Sequence, residues 1–199
     1  MTVTSANRYL TRSEMEGNAE VIASVLLLNG WSVNAIAAML GNMETESTIN
    51  PGIYENLDSS STTNGFGLVQ WTPNTKYKTW ANENGYTDYG DIFNQLIRIR
   101  YEVDNGLQWN STDAYPLSFK AFTTSGKSPE YLAQAFLYNY ERPASLNQPN
   151  RSTQAREWYN FIVNLYPDAP TPNEPDEPTA TGKKEMSKLL LYFAGTRRR

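Results

Sequence analysis

The stretch from Ser32 to Trp71 restricts the possible folds more than any other part of the chain. Ser32 is a helix-capping residue, and the apolar positions Ile36, Met39, Leu40 and Met43 follow at i, i+3, i+4 and i+7, the spacing of one buried helix face. Asn50-Pro51-Gly52 reads as the stop of that helix. Between Glu55 and Asn64 the chain is polar and rich in Ser and Thr, and Phe66 to Trp71, punctuated by Gly65 and Gly67, reads as the return strand of a small hairpin. Glu46 comes three residues after Met43, so it hangs at the edge of the apolar face, beside the cleft that such a hairpin would form. Glu44, two residues away, must point elsewhere.

The rest of the chain is mostly helical in pattern. Ser13 and Glu16 form a capping-box signature ahead of Ala19, Ile22, Val25 and Leu26, and Asn29-Gly30 closes this first helix. Further helices are expected from about Asn74 to Glu83, from Tyr89 to Asp104 around Ile92, Leu96, Ile99 and Val103, and from Pro116 to Thr123. Ser128-Pro129-Glu130 opens another, which Arg142-Pro143 breaks, and the last runs from about Ser152 to Tyr166. The expected class is therefore mainly α with a small β-hairpin, in a single domain over residues 1–166. A chain of 199 residues holds one well-buried core of this kind but not two ordinary domains.

Beyond Tyr166 the composition changes. Residues 167–182 form a Pro-rich acidic linker, and 183–199 an apolar cluster flanked by bases. That tail fits a membrane-surface or partner-docking helix, and equally the opening of a further domain cut short. Over residues 1–166 the chain carries 11 basic and 16 acidic side chains, which argues against nucleic-acid binding. The first residues lack a basic segment followed by an apolar run, so no secretory signal is expected.

The absence of both Cys and His excludes several chemistries at once. Cys/His peptidases, Ser-His-Asp hydrolases and His- or Cys-ligated zinc sites cannot be built from this chain, and no metal or cofactor is expected. Asp, Glu, Lys and Tyr remain for acid and base work. A partly buried carboxyl such as Glu46 is suited to protonating a leaving oxygen, because burial penalises its charged form. A Glu near a helix end is more often a solvated surface residue. Asp58, in the polar loop, is the candidate second carboxylate, although Asp is common in loops for turn reasons. Phe66, Trp71 and Trp80 are candidates for stacking on sugar rings and equally plausible core residues.

The segments Gly41-Asn42-Met43-x-x-Glu46-Ser47-x-x-Asn50-Pro51-Gly52, Gly65-Phe66-Gly67-Leu68-Val69-Gln70-Trp71-Thr72-Pro73 and Tyr140-Glu141-Arg142-Pro143 together resemble the phage tail lysozyme family. The resemblance spans roughly Asn7 to Tyr166. It implies a lysozyme-like α+β fold that cleaves the β-1,4 bond between N-acetylmuramic acid and N-acetylglucosamine. By the same resemblance Glu46 is the catalytic acid, Ser47 orients the site, and Gln70 with the backbone at Gly67 and Leu68 lines the glycan groove. Tyr140 and Glu141 either touch the sugar or, for Glu141, pair structurally with Arg142. The implied partners are bacterial peptidoglycan and other phage tail proteins, and the implied location is the virion tail tip. Family members often join such a domain to a zinc peptidase, and this chain, without His, contains none.

Overall fold

The computed structural model describes residues 2–169. The linker 167–182, apart from its first three residues, and the tail 183–199 lie outside the described residues. Seven α-helices follow in order: α1 (Arg12–Leu28), α2 (Val33–Ser47), α3 (Thr75–Glu83), α4 (Ile92–Asn105), α5 (Phe119–Thr123), α6 (Pro129–Phe136) and α7 (Asn150–Leu165). Short turns of other pitch occupy Glu55–Leu57, which is 3-10, and Leu137–Glu141, which is π.

Helix α2 is the axis. Every residue from 33 to 43 is buried, and the helix packs chiefly on α7 and α6, with α1 and α5 completing its surround. Gly41 permits the closest of these approaches: a Cβ there would lie 2.7 Å from both the Ala155 amide nitrogen and the Arg151 carbonyl oxygen of α7. The first helix starts earlier than its most obvious signature. The capping box is Thr11 with Glu14, not Ser13 with Glu16, because Glu14 is also gripped by both terminal nitrogens of Arg8. Glu16 instead pairs with Arg12 at 3.0 Å.

The stop of α2 also differs from expectation. Thr48 adopts the left-handed conformation and the chain turns there, two residues before Asn50-Pro51-Gly52. Thr48 and Ile49 both have positive φ, an uncommon state for β-branched residues that costs on the order of 1–3 kcal/mol each. The surroundings over-determine it. Ile49 is fully buried, and the Asn50 side chain binds the carbonyls of Ala6 and Arg8 at 2.6 Å each and accepts from the Gly52 amide at 2.9 Å.

The expected hairpin does not form a ladder. Its only pairing among the described residues is one antiparallel bridge between Tyr54 and Phe66. The return segment curls instead of extending, with Gln70 N–H bonded to the Gly67 carbonyl at 3.1 Å and Trp71 N–H to that of Phe66 at 3.1 Å. The physical reason lies in burial: Phe66, Leu68, Val69 and Trp71 all enter the core, which a two-residue alternation cannot accomplish. Gly67 has φ +80°, and a Cβ there would stand 2.6 Å from the Gln95 side-chain oxygen. That oxygen receives the Leu68 amide at 2.8 Å, so α4 clamps the loop directly.

Candidate active site

Glu46 sits in the last turn of α2, with its side chain 21% exposed. Its carboxylate lies 2.5 Å from Nη2 of Arg151, whose side chain is only 3% exposed. Arg151 comes from the first turn of α7 and spends its other donors on neighbours. Nη1 reaches Asn42 Oδ1 at 3.0 Å, and Nε reaches Gln148 Oε1 at 2.7 Å. Asn42 precedes Glu46 by four residues and so shares its face of the helix. The Asn42 amide donates to the Ala133 carbonyl of α6 at 3.1 Å. Three helices thus fix one carboxylate.

A second carboxyl within the electrostatic reach of Glu46 lies in the π turn. Glu141 is the last residue of that turn, and its Oε1 is buried without a hydrogen-bond partner. Burial, and then the negative charge of Glu46, hold the Glu141 carboxyl well above the usual carboxylate range, with Arg151 opposing, Glu102 adding to the rise and Arg142 opposing it. The structural Glu141–Arg142 pair is not formed. Arg142 is left-handed (φ +50°) and donates to the carbonyls of Gln108 and Asn139 instead.

Behind Glu141 lies a carboxylate that the sequence did not reveal as important. Glu102 of α4 is fully buried and accepts from Tyr140 Oη at 2.6 Å, Trp71 Nε1 at 2.9 Å and Arg98 Nε at 2.9 Å. Burial raises its pKa, and these donors work against that rise. Its signal was a charge inside the apolar stripe of a helix, one turn after Ile99, with Arg98 four residues before it. Arg151 also escaped notice. Its signal was a cation in the first turn of a helix, where the dipole disfavours positive charge.

The remaining candidates divide into framework and surface. Ser47 is buried and its hydroxyl donates to the Leu68 carbonyl at 2.8 Å, tying the helix end to the loop. Gln70 is partly exposed, has positive φ, and donates to the Gly67 carbonyl at 3.0 Å. Phe66, Trp71 and Tyr140 are 2%, 3% and 1% exposed, so their rings belong to the core and offer no face to a sugar. Trp80, 9% exposed, is likewise buried. Asp58 is exposed, and its carboxylate accepts from the Ser60 amide at 2.9 Å and hydroxyl at 2.6 Å, which lower its pKa. It serves a turn, and none of its partners belongs to the Glu46 cluster. Glu44 points elsewhere, toward Trp158 Nε1 at 2.7 Å.

An open cavity of about 370 Å³ adjoins the cluster, lined by Gln134, Tyr138, Asn147, Gln148 and Ser152 among others. Gln148 links it to Arg151. Among the described residues no group of acids is arranged to hold a metal ion.

Sequence comparison places this arrangement among known proteins. The chain is 55% identical over 160 residues to "Morphogenesis protein 1" of Bacillus phage B103, a match covering 80% of this chain and 43% of that relative. The chain therefore spans less than half the relative's length. A sequence model described as phage tail lysozyme matches residues 17–162, an interval that contains Glu46, Gln70, Glu141 and Arg151. The family model covers most of the chain and the phage relative is more than half identical, so the chain belongs to the phage tail lysozyme family.

Proposed function

We propose that this chain is a tail-associated peptidoglycan hydrolase that cleaves the β-1,4 bond between N-acetylmuramic acid and N-acetylglucosamine, with Glu46 delivering the proton to the leaving oxygen. The observation that carries this reading is the position of Glu46: a partly exposed carboxyl at the end of a buried helix, fixed by a buried arginine. Such preorganisation is what a general acid requires, since misplacement of the proton donor is costly in rate. The Ser47 hydroxyl ties that helix end to the Leu68 carbonyl, and on this reading Gln70 with the backbone at Gly67 and Leu68 borders the glycan. The name of the Bacillus phage relative, a morphogenesis protein, supports a place in the particle beside other tail proteins. From there the domain opens the host wall locally at infection.

The position of Asp58 favours a second reading. A hydrolase that uses two carboxylates needs both at the scissile bond, whereas Asp58 is exposed and turned to Ser60. A lytic transglycosylase working with one Glu accommodates that arrangement. Digestion of purified peptidoglycan followed by mass spectrometry of the released ends decides the matter. Reducing muramic acid ends are expected. Anhydromuramic ends indicate the transglycosylase, reducing glucosamine ends a glucosaminidase, and no release at all a wall-binding module.

A further inference from the structure

Glu46 is oriented by one partner. Among the described residues its carboxylate makes a single hydrogen bond, with Nη2 of Arg151 at 2.5 Å. A carboxyl held at one point follows the guanidinium that holds it, so whatever fixes the guanidinium also fixes the acid. We propose that Gln148 is that fixing group, a positioning residue that locks the Arg151 guanidinium from the wall of the adjoining cavity and acts in the reaction through Arg151 and Glu46. This inference rests on Glu46 being the working acid.

The hydrogen bonds carry it. Arg151 donates from Nε to Gln148 Oε1 at 2.7 Å and from Nη1 to Asn42 Oδ1 at 3.0 Å, so each nitrogen of the planar fork has its own acceptor. Asn42 and Glu46 both hang from α2 and shift together with it. Gln148 precedes α7 and, among the described residues, is the only side chain outside α2 that bonds the guanidinium. It is itself held. Its Nε2 donates to the Ser145 carbonyl at 2.8 Å and its backbone N–H to the Leu146 carbonyl at 3.0 Å, while its own carbonyl accepts from the Arg151 N–H at 3.3 Å. With the nitrogen end of the amide on a carbonyl, the oxygen end is the one left for Arg151.

The neutrality of Gln148 matters as well as its position. A glutamine accepts from Nε without adding charge, and among the described residues Glu46 remains the one carboxylate in an ion pair with Arg151. A glutamate at 148 would keep the length, lose the donor to Ser145 and set a second anion against the same guanidinium. Gln148 is only partly buried, so exchanging it leaves the aromatic core untouched.

The test uses the intact chain, wild type and the Gln148→Met and Gln148→Glu variants, with folding checked by circular dichroism and thermal melting. Nitrogen–proton NMR reads the hold directly. The Arg151 Nε–H, assigned through its own side-chain carbons, should exchange with solvent about tenfold faster in Gln148→Met than in wild type, since its hydrogen bond is gone. On soluble peptidoglycan fragments both variants should lose about tenfold in kcat with KM within about twofold of wild type, the pattern of a misplaced proton donor rather than of lost binding. Equal exchange rates in wild type and Gln148→Met, a wild-type kcat in either variant, or a loss confined to KM overturns the proposal, as does failure of both variants to fold, which marks a structural role. If wild type cleaves no glycan, the proposed function fails, while the Nε–H exchange still decides whether Gln148 holds Arg151.

Discussion

At the scale of single residues, the site is a balance between one satisfied carboxylate and one unsatisfied carboxyl. Glu46 has Arg151, whereas Glu141 has a buried oxygen with nothing to bond. Burial and the negative charge of Glu46 raise the Glu141 carboxyl above the value of about 4.3 that it has in the unfolded chain. Its contribution to stability is greatest below that pH and is lost as pH rises toward the raised folded value. Glu141→Gln removes this penalty. The variant should match wild type in thermal unfolding near pH 4 and gain in melting temperature relative to it as the pH rises to 7. Equal melting temperatures at both pH values would contradict the assignment. Glu46 was legible in the sequence because a motif surrounds it and an apolar helix face precedes it. Arg151 and Glu102 were not, because each is a charged residue whose burial depends on contacts made by distant helices.

At the scale of elements, the helices were legible and their irregular joints were not. Caps such as Ser32 and Ser128 are local chemistry, and each occurs where the sequence places it. The π turn at Leu137–Glu141 is invisible to helical periodicity, since it is fixed by long-range contacts: the Tyr140 hydroxyl on Glu102 and the Arg142 guanidinium on two carbonyls. The hairpin expectation failed for a related reason, because four apolar residues of the return segment are drawn to one side by the core. The α2–α7 contact offers a direct test of how an element's position governs the site. Gly41→Ala places a methyl 2.7 Å from α7 backbone atoms, which no side-chain rotation relieves. Helix α7 must shift and carry Arg151 with it. Destabilisation of about 1–3 kcal/mol is expected by chemical denaturation, together with a loss of wall-cleaving rate measured under conditions where the variant remains folded. A destabilised variant with full activity would show that the arginine tolerates displacement.

At the scale of the whole molecule, Glu102 joins parts that are far apart in sequence. It holds α4, the return segment through Trp71 and the π turn through Tyr140, so the aromatic core and the carboxyl cluster share one anchor. Glu102→Ala leaves three donors unpaired in the interior and should cost about 3 kcal/mol, lowering the melting temperature by roughly 10 °C. Tryptophan fluorescence on unfolding provides the measurement, and an effect within about 0.5 kcal/mol would contradict the anchoring role. No helix among the described residues is long and apolar enough to cross a membrane. The central claim is that the helix-end carboxyl at Glu46 performs the cleavage. Glu46→Gln preserves the shape of the side chain, and its peptidoglycan cleavage rate should fall by a factor of about 100 or more while its circular dichroism remains that of wild type. A folded Glu46→Gln protein that still cleaves peptidoglycan at the wild-type rate would place the chemistry on another residue.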